Sequence, residues 1–242
     1  MKVSSLKKQL NPSRNFSFST PVCLKFNIPL VMDGVFLLKN ILPNTVTLVF
    51  FDPQYRGVLD KLNYGNEGKR QILRKELLQM SETTIKEFIG LIDKVIKPSG
   101  HLFLWIDKFH FCEGISSWLQ NTSLQVVDLI VWNKQRIGMG YRSRRSSEFL
   151  LIIQKKPIRA KGIWKIKNIP DVWDEKITLS DKKHPHQKPF FLQKKLIETV
   201  TNEGDIIVDP AAGSFSILKL CRLLNRKFIG CDIKNFKHDE KI

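Results

Sequence analysis

Val46-Thr47-Leu48-Val49-Phe50-Phe51-Asp52-Pro53-Gln54-Tyr55 is the stretch from which the rest of the chain is read. The apolar run from Val46 to Phe51 predicts a buried strand, and Asp52-Pro53 stops it abruptly. A buried strand that ends in a turn delivers polar groups to the carboxyl edge of a sheet, where open α/β sheets bind ligands. At that edge stand a carboxylate, a proline carbonyl of restricted rotation and the ring of Tyr55. They offer acceptors for an exocyclic amine and a face for a flat nitrogen heterocycle. Asp-Pro also occurs in ordinary turns, so the reading needs partners elsewhere in the chain.

Working outward toward the amino terminus, Leu24 to Met32 reads as a strand that ends at Asp33-Gly34. Val35 to Leu42 reads as a short helix stopped by Pro43-Asn44. Strand, acid-Gly turn, helix and strand make half of a doubly wound α/β fold. Residues 1–24 are polar and basic and read as a tail; residues 25–242 read as one domain.

Toward the carboxyl terminus, the polar stretch from Arg56 to Lys69 is long enough for a lid or a substrate loop. Thr84 to Lys97 reads as a helix with a Thr84/Glu87 capping box and one apolar face of Ile85, Phe88, Ile89, Ile92 and Ile96. Pro98-Ser99-Gly100 ends it. The strand His101 to Ile106 follows, then a short helix from Gly114 to Leu119. Strands at Leu124 to Trp132 and Glu148 to Ile153 flank a loop rich in Gly and Arg.

Charge points to the partner. With 40 Lys and Arg against 23 acids in 242 residues, the net charge is +17, which predicts a polyanionic partner, nucleic acid in the first place. Between Lys134 and Lys167 stand eleven Lys or Arg and a single acid, Glu148. Tyr141, Phe149 and Trp164 are interleaved with them, which favours a nucleic-acid surface over a merely solvated face. Cys23, Cys112, Cys221 and Cys231 are scattered without paired metal spacing, which suits a reducing cytoplasm. No apolar run has the length of a membrane span, and no signal peptide is expected.

The last third carries a second chemical cluster. His184-Pro185-His186-Gln187-Lys188-Pro189 precedes an apolar helix, Phe190 to Val200. A strand, Asp205 to Val208, then feeds Asp209-Pro210-Ala211-Ala212-Gly213-Ser214-Phe215 and a further helix. A strand, a small-residue turn and a helix N-terminus form a nucleotide-cofactor arrangement. The next strand, Lys227 to Gly230, leads to Cys231-Asp232, an acid placed for ribose hydroxyls. His184 and His186 have no Cys or third His near them in sequence, so no metal is expected.

These motifs, in this order, resemble the β-group amino-methyltransferases of DNA, which methylate adenine N6 or cytosine N4 with S-adenosylmethionine. Asp52-Pro53-Gln54-Tyr55 resembles the family's target-amine motif, Asp, Ser or Asn followed by Pro-Pro-aromatic, and Asp209 to Phe215 its later Asp-Pro-x-x-Gly-Ser-Gly cofactor motif. Lys97-Pro98-Ser99-Gly100 is similar to its Lys-Pro-Gly-Gly strand entry, Trp132-Asn133-Lys134 to its Trp-x-Lys strand, and Tyr141 to Arg144 to its Arg-rich loop. His184 to Pro189 matches the signature before the first cofactor helix, and the likeness spans about Asp33 to Ile233.

The resemblance implies a Rossmann-like α/β fold: a mostly parallel twisted sheet, helices on both faces, an antiparallel edge hairpin and circularly permuted motif order. It implies that Asp52, Pro53, Gln54 and Tyr55 receive the flipped base. It places S-adenosylmethionine among Asp33, Gly34, His184, Gln187, Lys188, Asp209, Pro210, Ala211, Gly213, Ser214, Asp232 and Ile233. Lys134, Arg136, Tyr141, Arg142, Arg144 and Arg145 would meet double-stranded DNA, with residues 155–183 as a small target-recognition insert. Adenine N6 is the expected target, within a restriction or epigenetic system that admits a homodimer and a cognate restriction nuclease. Cytosine N4, RNA, and a nucleic-acid binder without turnover remain alternatives. Two departures matter: Gln54 replaces the second proline of the target-amine motif, and Phe215 the final glycine of the cofactor turn.

Overall fold

Alternation along the opening strand builds two layers. The computed structural model describes residues 24–54, 79–138, 142–178 and 187–233. All six residues of β2 (Val46–Phe51) are buried. Val49 and Phe51 face one way, onto α1 (Gly34–Lys39), α2 (Glu82–Val95) and α4 (Ser116–Leu119). Leu48 and Phe50 face the other, onto α5 (Phe190–Val200) and α6 (Ser216–Leu223). A strand covered on both faces is apolar along nearly its whole length, which is why Val46–Phe51, with Thr47 as its one polar residue, shows no polar alternation.

The other strands are β1 (Pro29–Val31), β3 (Ile96–Ile106), β4 (Leu124–Asn133), β5 (Ser147–Lys155), β6 (Val172–Asp174), β7 (Ile206–Asp209) and β8 (Lys227–Asp232). Among the described residues they form one sheet in the order β1-β8-β7-β2-β3-β5-β4-β6. β1, β8, β7, β2 and β3 are mutually parallel, β5 is antiparallel to β3 and β4, and β6 is parallel to β4. The expected mixed α/β architecture and permuted order are therefore present. The β4–β5 hairpin is not the edge, because β6 borders it: Val131 N–H donates to the Asp171 carbonyl at 2.7 Å and the Trp132 indole to the Glu175 carbonyl at 2.8 Å. Three residues after a proline show no period to read in sequence.

Local chemistry shifts several boundaries. α2 starts earlier than expected because Ser81, not Thr84, is its N-cap, its hydroxyl accepting from Thr84 N–H at 3.1 Å. β3 follows α2 without a break and runs through Pro98-Ser99-Gly100, with Ser99 at φ 62° and a register shift opposite Val46 and Leu48. A helix absent from the sequence reading, α3 (Lys108–Glu113), is capped by Asp107, whose Oδ1 accepts from Phe109 and His110 N–H. At Gly34, an added Cβ would lie 2.2 Å from the Pro210 carbonyl oxygen. The start of α1 thus packs directly on the turn after β7.

Parallel strands place their ends together. Asp33, Asp232, Asp209, Asp52 and Asp107 follow or end β1, β8, β7, β2 and β3 along the carboxyl edge of the sheet. β5 enters from that same edge, Phe149 opposite Ile106 and Glu148 opposite Trp132. Its far end reaches the amino edge, where the Lys155 ammonium donates to the carbonyls of Asp93 and Ile96. Lys165 is likewise engaged by the Thr201 carbonyl and Asn202. The basic run is thus split between two edges, and the first part of the 155–183 segment lies away from Asp52.

Candidate active site

Four alternating charges meet where β2 and β4 end and β5 begins. The Lys188 ammonium, just before α5, lies 2.9 Å from Asp52 Oδ2 and 2.9 Å from Glu148 Oε2. The other Glu148 oxygen, Oε1, takes the ammonium of Lys134. Lys188 also sits 4.9 Å from the centre of the Trp105 ring and Lys134 5.3 Å from that of Trp132, so each cation has an aromatic floor. Burial opposes ionisation of Glu148, but Lys188 and Lys134 outweigh it and hold its carboxyl at about 2. Burial also works against the Lys188 ammonium, yet Asp52 and Glu148 keep its pKa above that of an ordinary lysine. Asp52 has one cation where Glu148 has two, and burial leaves its pKa raised. It is the less firmly ionised carboxylate of the pair.

A second group of acids lies along β7 and β8. Asp209 Oδ1 accepts from Ala211 N–H at 3.2 Å, and Asp232 Oδ2 accepts from Gly213 N–H at 3.0 Å, so both acids hold the small-residue turn. Asp33 caps α1, accepting from Phe36 N–H at 2.9 Å, while Met32 N–H donates to the Asp232 carbonyl on the neighbouring strand. Phe215 occupies the left-handed region at φ 54° where the related motif has glycine. That conformation costs a bulky residue about 1 to 2 kcal/mol. Burial of its ring in the α5/α6 layer, edge-on to Phe228, contributes about 1.5 to 3 kcal/mol, which outweighs the strain. The departure is therefore accommodated by packing.

Burial, with Asp52 and Asp232 nearby, pushes the Asp209 carboxyl up to about 8 despite its bond from Ala211. In the unfolded chain the same group titrates near 3.8, so between these values the folded state binds more protons. Stability of the ligand-free protein should fall as pH rises from about 4 to about 8, and Asp209→Asn should flatten that slope. Thermal melts across this range check it; an equal slope in the variant would place the proton elsewhere. A buried acid that resists ionisation alone, as Asp209 does, is suited to a ligand carrying positive charge. S-adenosylmethionine, with its ammonium and sulfonium, fits that donor set.

The predicted site residues divide into groups. Asp52, Pro53, Gln54 and Lys188 stand at one edge with Asp33, Gly34, Asp209, Pro210, Ala211, Gly213, Ser214 and Asp232. The Gln54 carbonyl accepts from Met80 N–H at 2.7 Å, so the described segments on either side of residues 55–78 meet at the tip of β2. Tyr55, Tyr141, His184 and the Arg56 to Lys69 stretch lie outside the described residues. Lys134, expected at DNA, is turned onto Glu148 and Trp132. Arg136, Arg142 and Arg144 are exposed, and the Arg145 guanidinium lies 5.8 Å from the centre of the Phe109 ring with its Nε and Nη2 buried and unpartnered. Sequence reasoning missed Glu148 and Trp105 as parts of the site. The signal for Glu148 was present: a lone acid in a basic run, at the start of an apolar strand.

Residues 46–240 match the profile of the N6/N4 family described as DNA methylase. The chain belongs to this family. It is therefore an S-adenosylmethionine-dependent DNA methyltransferase acting on an exocyclic amine, and the matched span holds every edge acid except Asp33. The methyltransferase is 54% identical over 204 residues to the Type II methyltransferase M.HhaII of Haemophilus parahaemolyticus, covering 84% of this chain and 89% of the relative. It is 26% identical to the Type II methyltransferase M2.DpnII of Streptococcus pneumoniae, over 81% of this chain and 80% of the relative. Among solved structures, the cytosine-N4-specific PvuII DNA methyltransferase aligns with a TM-score of 0.66 at 16% identity, covering 84% of this chain and 80% of that one. The M1.HpyAVI–SAM complex aligns at 0.60 with 22% identity, covering 84% and 91%. At these identities the likeness is one of fold. No helix among the described residues of the methyltransferase is long and apolar enough to cross a membrane.

Proposed function

We propose that the methyltransferase transfers a methyl group to adenine N6 in double-stranded DNA, with Asp52 as the residue that receives the amine. The observation that carries this reading is the Asp52 carboxylate at the tip of β2, held at Oδ2 by Lys188, where many cytosine-N4 members of the family carry serine. A charged acceptor is the stronger partner for a donor amine. The bound cofactor supplies an electrophilic methyl group on a sulfonium. Asp52 and the Pro53 carbonyl accept the amine hydrogens, aim the nitrogen lone pair and stabilise the positive charge that grows there. Tyr55 stacks on the flipped base. Asp209 and the Ala211 to Ser214 turn hold the methionine part, with His184, Gln187 and Lys188 closing that pocket; Asp232 with Ile233 takes the ribose, and Asp33 with Gly34 the adenine side.

Digestion of methylated duplex followed by mass spectrometry of the nucleosides tests the base. N6-methyladenine is expected. N4-methylcytosine alone would overturn the reading and direct attention to Gln54, whose amide lies beside the carboxylate in sequence. A cytoplasmic setting alongside a cognate restriction nuclease belongs to the same proposal, and light scattering with and without DNA tests a homodimer.

DNA binding in this reading rests on Arg136, Arg142, Arg144 and Arg145. Replacing the last three together should lower the salt slope of duplex binding by about 0.9 for each phosphate that is no longer neutralised. Fluorescence titrations at several salt concentrations measure it. An unchanged slope would show that these guanidiniums face water or the protein itself.

A further inference from the structure

The four-charge cluster reaches beyond the target-amine motif. We propose that Glu148, backed by Lys134, is a positioning residue for methyl transfer: it holds Lys188 against Oδ2 of Asp52, leaving Oδ1 for the target amine. The proposal rests on the reading that Asp52 receives that amine.

The geometry carries it. Lys188 is the only cation that an ion pair joins to Asp52 among the described residues, and it is shared 2.9 Å to 2.9 Å with Glu148. Its side chain is 13% exposed, so it has no solvent position to swing into without leaving both partners. Lys134, 15% exposed, occupies the remaining oxygen of Glu148. The Trp105 ring walls the Lys188 ammonium. Each charge thus has a fixed neighbour of opposite sign, and the four sum to zero. The residues come from distant parts of the chain, at the end of β2, past β4, at the start of β5 and before α5, and converge only because those ends share one sheet edge. An isolated lysine beside Asp52 would be free to bridge both carboxylate oxygens and compete with the amine. Glu148 draws it to one side.

The charged groups that face Asp52 are Lys188, Glu148, Lys134 and, from β7, Asp209. Removing different members should therefore move Asp52 in opposite directions. Glu148→Gln gives Asp52 sole use of Lys188 and should shift the acid limb of the rate profile to lower pH. Lys188→Met strips Asp52 of its cation beside Glu148 and should shift the same limb to higher pH.

The test is single-turnover transfer from tritiated S-adenosylmethionine to unmethylated plasmid DNA across pH, with cofactor affinity by calorimetry and folding by thermal melt. Glu148→Gln should slow transfer about ten- to a hundredfold, the cost of a misplaced group, at nearly unchanged cofactor affinity. Lys188→Arg, which keeps the charge, should restore the wild-type limb. If a single variant fails to fold, the charge-balanced pair Glu148→Gln with Lys188→Met replaces it, and its limb should also move up. Acid limbs that stay at the wild-type position, or a loss of cofactor affinity equal to the loss of rate, would overturn the proposal. An active Asp52→Asn would instead sink the underlying reading of Asp52. An inactive Asp52→Asn beside a Glu148→Gln of wild-type rate and profile would sink only the role of Glu148.

Discussion

Asp52→Asn should lower the rate of methyl transfer about a hundred- to a thousandfold while leaving cofactor affinity nearly unchanged. Asparagine keeps the volume and one acceptor oxygen but loses the charge that meets the nitrogen as it becomes positive. That charge matters only as the bond forms, so the loss belongs in the rate rather than in binding. The fold should tolerate the change, because Lys188 retains Glu148 as a partner and β2 keeps its apolar contacts. Rapid-quench single turnovers measure the rate and calorimetry the affinity. Parallel loss of both would place Asp52 in the cofactor pocket and remove it from the target site.

Asp232→Ala should fail in the opposite sense. In the proposed complex it takes the ribose hydroxyls, and in the structure its Oδ2 also accepts from Gly213 N–H in the small-residue turn. Alanine removes a charged acceptor from both, so cofactor binding should weaken by about 1 to 3 kcal/mol, with transfer recovering at saturating cofactor. The neighbouring β1 register, which uses the Asp232 backbone carbonyl, should survive. A rate deficit that saturating cofactor does not repair would mean that the turn, rather than the ribose contact, had been damaged.

Much of this arrangement was legible in the chain, for identifiable reasons. Val46–Phe51 is legible because a strand covered on both faces carries apolar side chains at all but one position, Thr47. Phe190–Val200 was read correctly because a proline starts it and polar, Gly-containing sequence follows it. The order of the acid-tipped motifs carries the family resemblance, and that resemblance implies the permuted sheet that is present. What escaped were features made by distant partners and one short locally capped helix. β6 exists because Asp171 and Glu175 backbone groups meet Val131 and Trp132, and nothing in its three residues announces that. α3 was missed because its aromatics follow no helical period, and Asp107 alone caps it. Lys134 lies in a basic run that suggests DNA; only the β4–β5 register, with Glu148 opposite Trp132, brings the single acid within reach of its ammonium. A charge run gives the sum of the charges, whereas each charge's neighbour is a property of the fold.

The pairing of β1 with β8 has a consequence for synthesis. Pro29 lies opposite Gly230 and Val31 opposite Asp232, so the first of the eight described strands to be made waits for the last of them. At about 5 to 20 residues per second that wait is on the order of ten to forty seconds. During it, β2, β3, β5 and β4 can already pair, since β3 and β5 need no later segment. The base-receiving half of the protein is thus able to form early, while β7 and β8, which carry Asp209 and Asp232, join only after the other strands of the sheet have been made. The nascent chain holds the place for the base well before it can hold the methyl donor.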